Sequence, residues 1–123
     1  MDQRAIARML AMGRTAVGFG LLVTPTRLAR HWGGPVAAEP GAKLFLRALG
    51  GRDLLLGLGS LRALSEGDGS AEGWVRASAL ADATDAAAAT VAFRHLPSPG
   101  RWVTVVLAGT AAGLGLHAAD KLD

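Results

Sequence analysis

Five charged residues lie in the middle of stretches that are otherwise apolar. Asp82 and Asp85 belong to one such stretch, Arg52 and Asp53 to a second, and Arg14 to a third. A charge at the centre of a membrane-spanning helix costs about 2.5–3.5 kcal/mol even on lenient insertion scales. A chain that keeps five of them therefore uses them for chemistry or as a network that locks the fold.

The two aspartates of one stretch could carry out acid–base chemistry. Asp82 and Asp85 are three residues apart, so a helix places both carboxylates on one face. Two carboxylates that share a dry site do not both ionise readily, which leaves one as an acid and the other as a base. We therefore predict Asp82 and Asp85 as a catalytic pair and Asp53 as a second base or orienting group. Arg52 and Arg14 would hold an anionic part of a substrate.

Small and polar residues form narrow stripes around these charges, at helical spacing. The stripes are Gly50, Asp53, Gly57 and Ser60; Ser78, Asp82, Asp85 and Ala89; and Thr110, Gly113 and His117. If the stripes face one another, they enclose a polar pocket at the middle depth of the fold. Ser78 and Thr110 then join the arginines as candidate substrate-binding residues.

A structural interpretation competes with the functional one. Arg14 and Arg52 could neutralise the three aspartates, and the resulting network would fix the register of the helices, a role in which buried ion pairs are well attested. Arg52 precedes Asp53 by one residue and points about 100° away from the stripe that contains Asp53, so it must reach a different helix or the flank of the stripe.

Four long helices, separated by proline and glycine, are predicted to position these residues. They cover residues 3–23, 42–64, 72–95 and 101–119. Each is close to the ~20 residues that cross a ~30 Å hydrocarbon core. We predict an all-α, up-and-down, four-helix transmembrane bundle that forms a single domain over residues 1–123. Residues 26–32 are basic and amphipathic and could form a short interfacial helix between the first two long helices.

A soluble four-helix bundle is the alternative architecture. Residues 86–93 and 103–116 oppose it, because they offer almost no polar face to water. The first 25 residues have some features of a signal peptide. However, Arg14 interrupts their apolar region and no cleavage signal precedes Pro25, so we interpret them as a retained helix. The motif formed by Gly109 and Gly113 is expected to pack inside the bundle rather than against a second copy.

Composition excludes several classes of function. The 123 residues include no cysteine and only three scattered histidines, so we predict no disulfide, metal or other cofactor. The net charge of +3 comes from dispersed arginines rather than a basic run, which argues against a nucleic-acid partner. The expected partners are the lipid bilayer, a lipophilic small molecule, and a second copy or a larger membrane protein.

Orientation follows from the basic residues of the connections. The two connections predicted on one side hold several cations against a single acid, Glu39. The cations are Arg27, Arg30, Lys43, Arg94 and Arg101. By the positive-inside tendency these connections face the cytoplasm and both termini face outward.

The run from Leu46 to Gly59 carries a Gly-x-Arg-Asp-Leu-x-x-Gly-Leu signature, which begins at Gly50. It resembles a family of small bacterial and fungal membrane proteins of unknown function. The resemblance extends over most of the chain, including an aspartate-bearing third helix. It implies a four-helix membrane architecture and draws attention to Arg52, Asp53 and Asp85, but it implies no activity.

These observations predict an integral membrane protein, located in a bacterial inner or plasma membrane. The first expectation for its role is an accessory or interaction subunit with an Asp/Arg layer at the bilayer midplane. The alternative is a membrane-embedded acid/base enzyme, of the isomerase or cyclase type, acting on a lipophilic substrate. A third interpretation is a small proton-coupled transporter, which would need at least a dimer to enclose a pathway.

Overall fold

The computed structural model describes residues 2–67, 69–98 and 100–122. These residues form five α-helices and two 3-10 turns, with no β-strand among them. The helices are α1 (Gln3–Val23), α2 (Pro25–Gly33), α3 (Pro40–Glu66), α4 (Ala71–Val91) and α5 (Gly100–Ala119); the 3-10 turns are Gly34–Ala38 and Phe93–His95. The predicted all-α class is confirmed.

The helix bounds agree with the predicted ones to within a few residues, and the exceptions have local causes. α3 begins at Pro40 because proline suits the first turn of a helix, where its missing N–H would have no partner. It ends at Glu66, and Gly67 caps it in the left-handed conformation (φ 65°). α4 ends at Val91 rather than His95, and the residues after it tighten into a 3-10 turn. The short helix expected between the first two long ones is α2.

α1 packs closely along α3 through glycines. A Cβ on Gly50 would lie 2.8 Å from the carbonyl oxygen of Gly18, and one on Gly57 would lie 2.9 Å from the carbonyl oxygen of Ala11. Only residues without a side chain allow backbones to approach this closely. The two helices run antiparallel. The middle of α1 meets the middle of α3, and Arg4 near the start of α1 donates to the carbonyl oxygen of Leu64 near the end of α3.

α4 and α5 form a second antiparallel pair. Arg76 near the start of α4 forms an ion pair with Asp120 just after α5, and a Cβ on Gly115 would lie 2.8 Å from the Cβ of Ala79. The second pair lies beside the first, α4 next to α3 and α5 next to α1, and the contacts between pairs are sparser than those within each pair. The four long helices therefore alternate in direction.

The two ends of this bundle differ. At one end, the first turns of α1 and α4 and the last turns of α3 and α5 close a cluster that includes Ala7, Leu64 and Val75. At the other end α2 and the following 3-10 turn lie across the bundle and bury Ala29 and Ala37 with Leu21 of α1. α2 also meets the start of α5, because Gly100 packs directly against the backbone of Trp32. The second end is thus closed by a short helix that packs on α1 and α3 through a small core of its own.

Small side chains fill the interior and large ones cover the outside. Eleven of the fifteen buried apolar residues are alanines. Bulky side chains point outward instead, and Phe45, Leu55 and Phe19 expose 74%, 68% and 60% of their surface. This distribution is the reverse of the one expected for a water-soluble bundle.

Two of the described helices, α1 and α5, are long and apolar enough to cross a membrane. Only 22% of the apolar window in each is buried, so neither resembles the core helix of a soluble protein. α3 and α4 are long enough but carry more charge, and they do not meet the same criterion. The four spans predicted above are therefore supported for two helices only.

The predicted inward face of α5 is wrong. Thr110, Gly113 and His117 are all exposed, and a Cβ at Gly113 would meet nothing within 4 Å. The same holds for Gly109, so the expected packing of this glycine motif within the bundle is also wrong. Gly115 faces inward instead, where a Cβ would lie 2.8 Å from the Cβ of Ala79.

The glycine contacts predict a difference between two substitutions on α3. Gly57→Ala places a Cβ against the backbone of α1 and should lower the stability by about 1–3 kcal/mol, the usual cost of overpacking. Gly51→Ala enters open space on the same helix and should be neutral or stabilising by up to about 1 kcal/mol, because alanine favours the helix. Thermal unfolding in detergent, followed by circular dichroism, compares them. The close packing of α3 against α1 at Gly57 would be refuted if the Gly57→Ala variant had a melting temperature equal to or above that of the Gly51→Ala variant.

Candidate functional site

Arg14 is the centre of a charged network in the middle of the bundle. Its Nη1 donates to Asp53 Oδ1 of α3 at 2.7 Å, and its Nη2 forms an ion pair with Asp82 of α4. Nη2 also donates to the backbone carbonyl oxygen of Ser78 at 3.0 Å. One guanidinium from α1 therefore binds two further helices.

Arg52 forms the second half of the network. Its Nη1 and Nη2 donate to the two carboxylate oxygens of Asp85, at 3.2 and 2.7 Å, in the bidentate geometry that is strongest for such pairs. Its Nε and Nη2 also donate to Asp53 Oδ1, at 3.3 and 3.1 Å. Asp53 thus bridges the two arginines, and the expectation that Arg52 reaches a different helix is confirmed.

The ion pairs with α4 join the two halves of the bundle. Arg14, Arg52 and Asp53 belong to the α1–α3 pair, whereas Asp82 and Asp85 belong to the α4–α5 pair. With all groups ionised, the first half contributes one net positive charge to this layer and the second half two negative charges. Opposite charges therefore meet where the helix contacts are sparse.

The network has an inner and an outer part. The side chains of Arg14, Asp53 and Asp82 are 9%, 12% and 17% exposed, whereas those of Arg52 and Asp85 are 35% and 31% exposed. The inner groups are removed from solvent and depend on one another for compensation. The outer pair is closer to a partly solvated salt bridge, which contributes less to stability.

A cavity of about 690 Å³ adjoins the charged layer on the side of α2. Its wall is mainly apolar and comes from α1, α2, α3 and α5, with Val17, Trp32, Leu46 and Leu107 among the lining residues. Arg14, Asp53, Asp82, Asp85 and Thr104 supply the polar part of the wall. The cavity therefore offers a long apolar surface that ends at charged groups.

Two carboxylate oxygens of this wall have unused capacity. Asp53 accepts its three hydrogen bonds on Oδ1, and Asp82 meets Arg14 through Oδ1. The hydrogen bonds within the described part of the chain leave Oδ2 of both residues without a donor. These oxygens are acceptors that a bound molecule could use.

A second, water-sized cavity of about 20 Å³ lies against the same layer, lined by Arg14, Ser60, Ser78 and Asp82 among others. Its volume suits a single water molecule. The hydroxyl groups of Ser60 and Ser78 are 3.4 Å apart across the contact between α3 and α4. Ser78 therefore supports the layer through its carbonyl and hydroxyl groups but does not line the large cavity.

The structure brings together most of the site residues predicted from the sequence. Arg14, Arg52, Asp53, Asp82 and Asp85 form one network, and Ser78 adjoins it. Thr110 does not belong to it, because it lies on the exposed face of α5.

The predicted pairing of Asp82 with Asp85 is not the one that the structure shows. Each of the two carboxylates has an arginine partner instead, Arg14 for Asp82 and Arg52 for Asp85, because the arginines of α1 and α3 reach across to α4. The expected role of both arginines in holding an anionic part of a substrate stays a prediction.

Sequence analysis missed Thr104 and Trp32 as lining residues of the cavity. Trp32 ends the amphipathic segment predicted between the first two long helices, which was a usable signal. Nothing in the local sequence distinguishes Thr104 from the other residues of its helix.

No protein-family model matches this chain, and no curated protein and no solved structure is significantly similar to it. The family resemblance of the signature in α3 therefore stays a prediction.

The gradient of burial predicts unequal effects of three isosteric substitutions. Asp53→Asn should lower the stability most, by about 2–4 kcal/mol, because three charge-assisted hydrogen bonds end on this buried carboxylate. Asp82→Asn should follow, and Asp85→Asn should cost only about 1 kcal/mol because its pair is partly solvated. Thermal unfolding in detergent gives the order, with Asp120→Asn at the exposed pair with Arg76 as control.

A variant that melts at or above the wild type would contradict the structural role of that aspartate. It would show that the carboxylate is kept at a cost to stability, which is typical of functional residues.

Proposed function

We propose that this chain is a small integral membrane protein whose cavity binds an amphiphilic small molecule taken from the bilayer. The membrane part of the proposal is supported by the distribution of side-chain size. Helices in lipid pack through small residues and expose large apolar ones, because lipid gives no hydrophobic drive to bury them. Alanine and glycine fill this interior, while Phe19, Leu44 and Leu55 lie outside.

The absence of charge on the outer surfaces of α4 and α5 also supports four spans. The outward side chains of α4 carry no charge between residues 77 and 91, since Asp82 and Asp85 are turned toward the arginines. α5 carries none between Arg101 and Asp120, about 27 Å of helix. The low apolarity of α3 and α4 thus comes partly from groups that are paired inside the bundle.

The ends of the bundle suggest an orientation. The end with α2 carries exposed basic residues, including Arg27, Arg30 and Arg94, against one acid, Glu39. The opposite end holds a similar number of Lys and Arg residues, among them Arg8, Arg62 and Lys121, but more acids. The positive-inside tendency counts Lys and Arg rather than net charge, so an orientation with the α2 end in the cytoplasm stays a prediction. α2 itself, with basic residues and Trp32, suits the headgroup region of a membrane.

The cavity is the observation that carries the functional part of the proposal. Sites for small molecules measure roughly 300–1,000 Å³ and combine an apolar wall with a few polar groups. The cavity of about 690 Å³ has this composition. A hydrocarbon portion would lie against Val17, Leu46 and Leu107, and a polar portion would meet Asp53 and Asp82.

Acid/base catalysis on such a ligand is the second candidate function. Three aspartates face two arginines in the layer, so one carboxylate has no full counter-charge and could accept and return a proton. Asp82 fits this role best, because it lines the cavity and shares Arg14 with Asp53, whereas Arg52 donates to both carboxylate oxygens of Asp85. The accessory-subunit and transporter interpretations need a partner protein or a second copy, and they stay predictions.

Ligand binding is tested with N-phenyl-1-naphthylamine, a neutral lipophilic dye that accepts energy from tryptophan. Ala42→Phe with Ala108→Phe narrows the cavity from α3 and α5, whereas Ala77→Phe with Ala87→Phe adds the same bulk outside α4. The first pair should weaken binding by about tenfold or more, and the second should keep it within about twofold. Energy transfer from Trp32, with Trp74 and Trp102 replaced by phenylalanine, reports the binding. Equal affinity in both pairs would exclude the cavity as the site.

The four spans are tested by labelling single cysteines, since the chain has none of its own. Ala38→Cys and Ser98→Cys lie at the α2 end, and Ser65→Cys lies at the opposite end; all three positions are exposed. In sealed vesicles a membrane-impermeant maleimide should label the first two from one side and the third from the other. Equal labelling of all three from one side would refute the spanning arrangement.

A further inference from the structure

We infer that the molecule bound in the cavity is a lipophilic monocation, such as an ammonium or phosphonium with large apolar substituents. The inference rests on the proposed function, because it assigns a chemical class to the ligand of that cavity. It follows from the charge of the wall, the free oxygens on it and the position of the basic residues.

The charged layer has one more negative than positive group when all five side chains are ionised. Arg14 faces Asp53 and Asp82, and Arg52 faces Asp53 and Asp85, so each guanidinium is already shared between two carboxylates. A monocation in the cavity would neutralise the layer, whereas an anion would double its excess negative charge. Arg14, Asp53 and Asp82 are largely buried behind a mainly apolar wall, where charges are screened less than in bulk water, so the difference favours the cation.

Hydrogen-bonding capacity points the same way. The described residues leave two acceptors on the wall without a donor, Oδ2 of Asp53 and Oδ2 of Asp82, and the Asp53 side chain is 12% exposed. Both terminal nitrogens of Arg14 already donate to oxygens within the bundle. A ligand with a positive, donor-bearing or polarised head therefore finds acceptors here that an anionic head could not use.

The rest of the wall suits a cation with bulky apolar groups. Trp32 and Phe45 line the cavity and offer aromatic faces, which attract cations. Arg14 is the one basic side chain among the residues that line it. The exposed Arg27 and Arg30 at the α2 end lie outside the wall, so they do not supply an anion site within the cavity.

Two ions of nearly equal size and opposite charge provide the test: tetraphenylphosphonium and tetraphenylborate. Binding of each to the purified protein in a neutral detergent is measured by equilibrium dialysis against protein-free micelles. We expect tetraphenylphosphonium to bind at least about tenfold more tightly than tetraphenylborate. Asp82→Asn should weaken phosphonium binding about tenfold or more, whereas Asp120→Asn, which removes an exposed carboxylate outside the cavity, should keep it within about twofold.

The possible results separate the two proposals. If tetraphenylborate binds as well as the phosphonium while the neutral dye binds the cavity, the inference is overturned and the proposed function stands. If neither ion nor the dye binds, the proposed function fails and the inference with it. The comparison of the two ions needs only the wild type, so it decides whether the cavity prefers cations even if Asp82→Asn does not fold. In that case Asp85→Asn replaces Asp82→Asn as the variant that should weaken phosphonium binding.

Discussion

The ion pairs of Arg14 and Arg52 with α4 hold the two halves of this bundle in register. Within each half, glycine and alanine bring the helices into close contact, and packing alone can specify the pairing. Between the halves the contacts are sparser, and the charged groups lie at that boundary. Because opposite charges attract strongly in a medium of low dielectric constant, the network specifies which face of α4 meets α3. The cavity beside it depends on the same alignment.

The signature in α3 unites packing and charge in one helical segment. Gly50 precedes Asp53 by three residues and Gly57 follows it by four, so all three lie on one face. Both glycines meet the backbone of α1, and the carboxylate between them is thereby placed opposite Arg14. Arg52 lies one residue earlier, points to the next face and reaches α4. A replacement of either glycine would therefore disturb the charge network as well as the helix contact.

The sequence predicted the elements well and their mutual orientation only in part. α1 has the predicted bounds, and the stripe from Gly50 to Ser60 is buried as expected, because small residues at helical spacing mark a packing face. The prediction of which face of α5 points inward was wrong. That helix is apolar almost all round, so its periodicity carries little information about its orientation. The partners of Asp82 and Asp85 also could not be read from spacing alone, because they depend on how far arginines of other helices extend.

A network that served the fold alone would not need its third aspartate. Two arginines are neutralised by two carboxylates, and a buried charge beyond that is a cost that packing must offset. The extra carboxylate here occurs where the interior opens into a cavity, and two of the aspartates keep an oxygen free of hydrogen bonds from the described residues. The cavity is open to the outside of the bundle, since Phe45 and Leu107 on its wall are 74% and 59% exposed, so its apolar wall lacks the van der Waals partners that a closed core would supply. Both costs occur at the same place, which is the pattern expected when a bound molecule completes the interior.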